Sequence, residues 1–116
     1  MTKDLGFKGE AMALKKIASL GYKILAQNFR CKLGEIDLIA KDKDTLVFIE
    51  VRSKSNEKYG LPQETVNTKK QRKLRQVAEF YLMKNNLYHM YCRFDVIGIV
   101  WQQGDELEIE IIKDAF

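Results

Sequence analysis

The chain has 116 residues, 46% of them apolar and 31% charged, with seven Gly, one Pro and two Cys, enough to fill one hydrophobic core but not two. No run approaches the roughly 18 to 20 consecutive apolar residues of a membrane helix, and Met1-Thr2-Lys3-Asp4 leads into a mixed segment without a signal-peptide core, so a single domain over residues 1–116, soluble and cytosolic with no membrane partner, is expected. Cys31, Cys92 and the lone His89 stand apart in the chain, which argues against a disulfide framework, a Cys/His zinc cluster or a nucleophile–histidine triad.

The formal net charge is +4, and its distribution says more than its total. Residues 1–104 carry 19 bases and 11 acids, a net +8, while five acids against Lys113 close the chain. Between Arg52 and Arg75 lie eight bases (Arg52, Lys54, Lys58, Lys69, Lys70, Arg72, Lys73, Arg75) opposed by Glu57 and Glu64. A polyanion is the natural partner of such a surface; the competing reading is a solvated face kept soluble by lysine.

In chain order, a first helix is predicted from about Lys8 to Leu20, with Leu14, Ile17 and Ala18 forming a stripe with Ala11 and Ala13, and Gly21 as its stop. Three extended segments follow: Tyr22 to Arg30, Glu35 to Lys41, and Thr45 to Ser53 after the polar turn Asp42-Lys43-Asp44. Asn56 to Gln63, with Gly60 and the single Pro62, reads as a loop. A second helix spans about Thr68 to Asn85, with Leu74, Val77, Ala78, Tyr81 and Leu82 at amphipathic spacing. Arg93 to Trp101 and Leu107 to Lys113 are two further strands, separated by a turn at Gln102 to Asp105. The order α-β-β-β-α-β-β favours an α/β sandwich with a mixed sheet over a doubly wound fold, which needs a helix after nearly every strand.

The second and third strands each hold a carboxylate where burial normally excludes one: Asp37 between Ile36 and Leu38, and Glu50 between Ile49 and Val51. In a hairpin with an even loop, of two or four residues, Asp37 lies opposite Glu50 and Glu35 opposite Arg52. A three-residue loop sends the two acids to opposite faces. Paired like charges repel unless a divalent cation lies between them, so the arrangement reads as a site for Mg²⁺ or Mn²⁺ acting on a phosphodiester. The alternative is that both acids pair with Arg52, Lys54 or bases of the second helix. Glu10, which extends the inward stripe of the first helix, is a third candidate for the metal, against the simpler role of an acid in a helix's first turn.

Gly34-Glu35-Ile36-Asp37-Leu38-Ile39-Ala40 and Val47-Phe48-Ile49-Glu50-Val51-Arg52, with Asn28-Phe29-Arg30 before and Tyr59-Gly60-Leu61-Pro62, Lys69-Lys70 and Arg93-Phe94-Asp95-Val96 after, closely resemble the YraN-like family of small bacterial proteins over nearly the whole chain. That family looks like a branch of the restriction-endonuclease-like (PD-(D/E)XK) superfamily, with a motif order similar to that of Holliday junction resolvases. The resemblance implies a restriction-endonuclease-like three-layer α/β/α sandwich with a mixed sheet. Asp37 and Glu50 are then metal ligands, Glu10 is the acid of the first helix, and Gln63 with Lys69 or Lys70 are polar residues near the site.

One departure bears on chemistry. The nuclease signature ends Glu-X-Lys, whereas this chain reads Glu50-Val51-Arg52. Arginine stays protonated; it stabilises charge on a phosphate but accepts no proton. Lys54, farther along the same strand face, is either a substitute or a surface lysine. The leading expectation is a metal-dependent nuclease on DNA, with branched DNA as a candidate substrate and RNA as a second polyanion, Asp37, Glu50, Arg52 and Gln63 in the catalytic centre, and Lys54, Lys69, Lys70, Arg72, Lys73 and Arg75 binding the nucleic acid. Its rivals are a non-catalytic nucleic-acid-binding module on the same fold and a protein-interaction adaptor; a homodimer fits the nuclease relatives. Asp95 is read as structural in preference to orienting a base of the second helix, Tyr81 as core, and Cys31 and Cys92 as small buried apolar residues.

Overall fold

The computed structural model describes residues 3–54, 66–101 and 107–116, with the side chains of 3–8, 54, 101 and 107 outside the description. Among these residues the order is α1 (Lys3–Ser19), β1 (Lys23–Cys31), β2 (Gly34–Asp42), β3 (Thr45–Lys54), α2 (Thr68–Lys84), β4 (Tyr91–Trp101) and β5 (Leu107–Ile112). This is the α-β-β-β-α-β-β order predicted above. The loop expected at 56–63, the turn at 102–105, Lys58 and Gln63 lie outside the described residues.

The five strands form one mixed sheet in the order β1-β2-β3-β4-β5. β3 and β4 are parallel, and the remaining neighbours are antiparallel. A parallel pair needs a long crossover, and α2 lies on that crossover between β3 and β4. Residues alternate between the two sheet faces with the strand period of two. On one face Leu46, Phe48, Phe94 and Val96 pack with Leu74, Val77, Ala78 and Tyr81 of α2; on the other Val47, Ile49, Ile97 and Ile99 pack with Ala13 and Ile17 of α1. The result is a three-layer α/β/α sandwich.

Helix α1 starts earlier than the sequence suggested, because Gly6 lies within the helix rather than before it. Its buried face also differs: Gly9, Ala13 and Ile17 point inward, Leu14 is half-buried, and Ala11 and Ala18 face solvent. Small residues let the helix approach closely; a Cβ on Gly9 would meet Ile99 Cδ1 at 3.0 Å. The helix ends as expected at Gly21, whose φ of 86° allows the chain to turn back. The stripe on α2 is buried as expected, with Leu82 half-buried at its margin.

The β2–β3 hairpin has the two-residue loop Lys43-Asp44, with Asp42 opposite Thr45 and Leu38 opposite Ile49. Lys43 takes a left-handed φ of 55° to close it. This is the even-loop register. Neither the expected pairing of Asp37 with Glu50 nor that of Glu35 with Arg52 is part of the ladder, which ends at Leu38–Ile49; Glu35 instead bonds Arg30 on β1 at 2.9 Å.

At the hairpin end of the sheet, Arg93 is held by three partners: Asp95 at 3.0 Å, Asp42 at 3.0 Å and the Tyr22 hydroxyl at 2.6 Å. Asp95, 1% exposed, also accepts the amide of Asp114 at 3.0 Å. This accounts for an acid in an apolar strand: Asp95 serves the fold and does not orient a base of α2. Cys31 is half-buried and Cys92 exposed, so neither is the fully buried residue expected; Cys92 follows Tyr91 at the start of β4, just ahead of its buried stretch. Among the described residues no helix is long and apolar enough to cross a membrane.

Candidate functional site

The site begins with a fault in two adjacent strands. In a regular strand, residues i and i+2 point the same way, yet Ile36 packs into the core under α2 and Leu38 into the core under α1. β2 therefore rolls over at Asp37. β1 does the same beside it: Ala26 and Phe29, three apart, share the α2 side, and Asn28 between them has a left-handed φ of 51°. The register, with Gln27 opposite Leu38 and Phe29 opposite Ile36, sets Asn28 across from Asp37.

On the other side of Asp37, the carboxylate replaces the missing ladder bond. Asp37 Oδ2 accepts the Val51 amide at 2.8 Å, which brings it beside Glu50. Glu50 is 7% exposed. Its carboxyl is pushed up to about 7, first by burial, then by the neighbouring Asp37 charge and a hydrogen bond with Asp37, opposed by the charges of Lys70 and Arg52. Two acids share a site beside two bases. The Arg52 Nε is buried and has no hydrogen-bond partner among the described residues, a costly state for a cationic donor unless a ligand supplies an acceptor.

A narrow cleft of about 20 Å³ opens on the α1 side of Asp37, lined by Glu10, Leu14, Gln27, Asn28, Asp37, Leu38 and Val51. That is room for a water-sized occupant. Glu10 thus stands in the wall of the same cleft as Asp37, although it is solvent-exposed. Among the described residues no three His, Cys, Asp or Glu side chains gather closely enough to hold a metal by themselves. A pair of carboxylates is nevertheless a sufficient protein contribution for Mg²⁺, which keeps several waters.

The basic residues divide by position. Lys70 is half-buried in the first turn of α2 and its charge reaches Glu50. Lys69, Arg72 and Lys73 are exposed near the same helix end. That first turn contains no acid, and Asn67 caps it by accepting the Lys70 amide at 2.9 Å. Bases at a helix N-terminus oppose the macrodipole, whereas a bound anion is favoured there. Arg75 belongs elsewhere: its guanidinium lies over the stacked rings of Phe94 and Phe116, 5.1 and 5.7 Å from their centroids. The Lys54 side chain and Gln63 are outside the described residues.

Asp37, Glu50, Arg52 and Lys70 stand out in the sequence, whereas Asn28 carries no site role there. The available signal was a polar, turn-favouring Asn in the middle of a strand, directly before Phe29.

A three-layer α/β/α protein with a carboxylate pair where a hairpin ladder breaks is the class that fold and site define. The chain belongs to the family described as uncharacterised protein family UPF0102, whose model matches residues 9–99. It is 50% identical over 116 residues to a UPF0102 protein of Desulforamulus reducens, covering 97% of this chain and 95% of that one. Similar relatives are UPF0102 proteins of Syntrophus aciditrophicus, 46% identical with 100% and 92% coverage, and of Caldicellulosiruptor saccharolyticus, 42% identical with 98% of each chain covered.

Proposed function

We propose that the protein is a metal-dependent nucleic-acid-processing enzyme of the bacterial cytoplasm that hydrolyses phosphodiester bonds, with DNA as its substrate class and branched DNA as its candidate structure. The reading rests on one observation above the others: Asp37 and Glu50 meet where β2 and β3 part, with Arg52 and Lys70 beside them. It agrees with a restriction-endonuclease-like resemblance, in which these two acids are the metal ligands. Asp37 and Glu50 would hold Mg²⁺ or Mn²⁺, with Glu10 lining the same cleft as Asp37. When bound, the cation supplies Lewis acidity and cancels the repulsion between the two acids.

The chain's own groups have separable tasks. The Val51 amide fixes one oxygen of Asp37, so the orientation of that acid is set before any ligand arrives. Arg52 turns an unpaired donor toward a phosphate oxygen and stabilises the charge that builds up during in-line attack. Lys70 and the positive end of α2 hold an adjacent phosphate, and Lys69, Arg72 and Lys73 extend the basic track along the backbone.

Arg52 also favours a second reading, a nucleic-acid-binding module on the same fold without turnover, because arginine cannot take the proton that a lysine at this place accepts. Incubation with linear, flapped and four-way DNA in Mg²⁺ or Mn²⁺ separates the two. Cleavage that disappears in Asp37→Ala supports the enzyme; metal-dependent binding without cleavage supports the module; no binding to any nucleic acid, including RNA, contradicts both.

A further inference from the structure

We propose that Asn28 is a positioning residue of the cleft, its carboxamide holding the water shell of a divalent cation opposite Asp37. The proposal deepens, and rests on, the cation-site reading of Asp37 and Glu50. Three observations carry it. Asn28 keeps a left-handed backbone, φ 51°, inside a strand, where an L-residue is strained. It lies across from Asp37, at the point where both strands roll over. It lines the cleft with Glu10 and Asp37, it is exposed to solvent, and its side chain has no hydrogen-bond partner among the described residues.

A residue chosen for the bend alone would be glycine, which adopts this φ without cost. Asn is the common alternative that tolerates the left-handed region while keeping a polar head. Its carboxamide offers both an acceptor and donors, suited to water that is itself bonded to a cation. Gln27 also lines the cleft but does not share the left-handed backbone of Asn28.

The test compares wild type, Asn28→Gly, Asn28→Asp and Asp37→Ala for thermal stability and for calorimetric binding of Mn²⁺ alone. The proposal expects Asn28→Gly to melt at or above the wild-type temperature, since the backbone strain is relieved, while its Mn²⁺ affinity falls about tenfold, the scale for losing an outer-shell partner. Asn28→Asp is nearly isosteric, tolerates the same φ and adds a charge facing the cleft, so it should bind Mn²⁺ severalfold more tightly. Mn²⁺ binding by both Asn28 variants equal to wild type, with binding lost in Asp37→Ala, overturns the proposal and leaves the cation site standing: Asn28 then serves the bend alone. No Mn²⁺ binding by wild type overturns both. If Asn28→Gly fails to fold, Asn28→Asp is read against Gln27→Asp, which adds the same charge to the lining of the same cleft: a gain in Mn²⁺ affinity no larger in Asn28→Asp than in Gln27→Asp overturns the proposal.

Discussion

The Asp37 carboxylate accepts the main-chain amide of Val51 at 2.8 Å, tying the acid on β2 to the residue directly after Glu50 on β3. The bond does two things at once. It satisfies an amide left over where the hairpin ladder stops at Leu38–Ile49, and it holds a negative charge beside a buried carboxyl that gains from being neutral. The loss of sheet pairing and the creation of the site are therefore one event.

Asp37→Ala strips the Val51 amide of its partner, which costs roughly 1 to 3 kcal/mol if the group stays buried, and it also removes the repulsion on Glu50. Asp37→Asn keeps an acceptor and loses the charge. Urea unfolding in the absence of metal should rank Asp37→Asn above Asp37→Ala in stability; the reverse order would show that the Val51 bond contributes nothing.

Glu50 predicts an unusual pH dependence. Its folded value of about 7 lies above the ordinary 4.5, so the folded chain binds more protons than the unfolded chain between these values. The stability contributed by the protonated carboxyl is fully present below about 4.5 and is lost as pH rises through about 7. Without divalent cations, melting temperature should fall across that window, after allowance for other groups. Glu50→Gln should flatten the fall and melt above wild type at pH 8. A wild-type profile in this window identical to that of Glu50→Gln would contradict the burial and pairing described for Glu50.

The basic end of α2 makes a graded prediction. For duplex DNA, log affinity should decline with log salt by about 0.9 per phosphate neutralised. Replacing Lys69 and Lys73 should make the slope shallower by nearly two phosphates' worth. Arg75→Ala should leave the slope close to wild type, because that guanidinium is laid over Phe94 and Phe116. Equal effects from all three positions would place the polyanion on a different face.

Arg93 provides a control remote from the proposed chemistry. Arg93→Ala leaves Asp95, 1% exposed, as an uncompensated buried charge, with an expected loss of about 3 to 5 kcal/mol. Thermal denaturation should show it. At temperatures where this variant remains folded, its affinity for Mn²⁺ should match wild type; a large loss would couple the hairpin end of the sheet to the site.

The carboxylate pair was legible because an acid between Ile36 and Leu38 and another between Ile49 and Val51 violate the burial pattern of apolar strands, and the two-residue Lys43-Asp44 loop carries both acids to the positions just beyond the last ladder pair, Leu38–Ile49. Element order was legible for the same reason: the apolar periods of α2 and β3 are long and clean. The roll of β1 and β2 was not, since pattern reading assumes a constant period of two, and Asn28 shows its left-handed φ only in three dimensions. Pairing of Glu35 with Arg52 was inferred by extending a regular ladder through Asp37, where the ladder in fact ends. Arg75 sits among the bases in sequence, but Phe94 and Phe116 draw it onto an aromatic stack that local sequence does not reveal.

The central claim is that Asp37 and Glu50 form one cation site, and calorimetric titration of Mn²⁺ into wild type, Asp37→Ala and Glu50→Ala tests it most directly. The account predicts saturable binding to wild type and loss of that binding in each single variant. Binding of equal strength in all three proteins, or none to wild type, would contradict it.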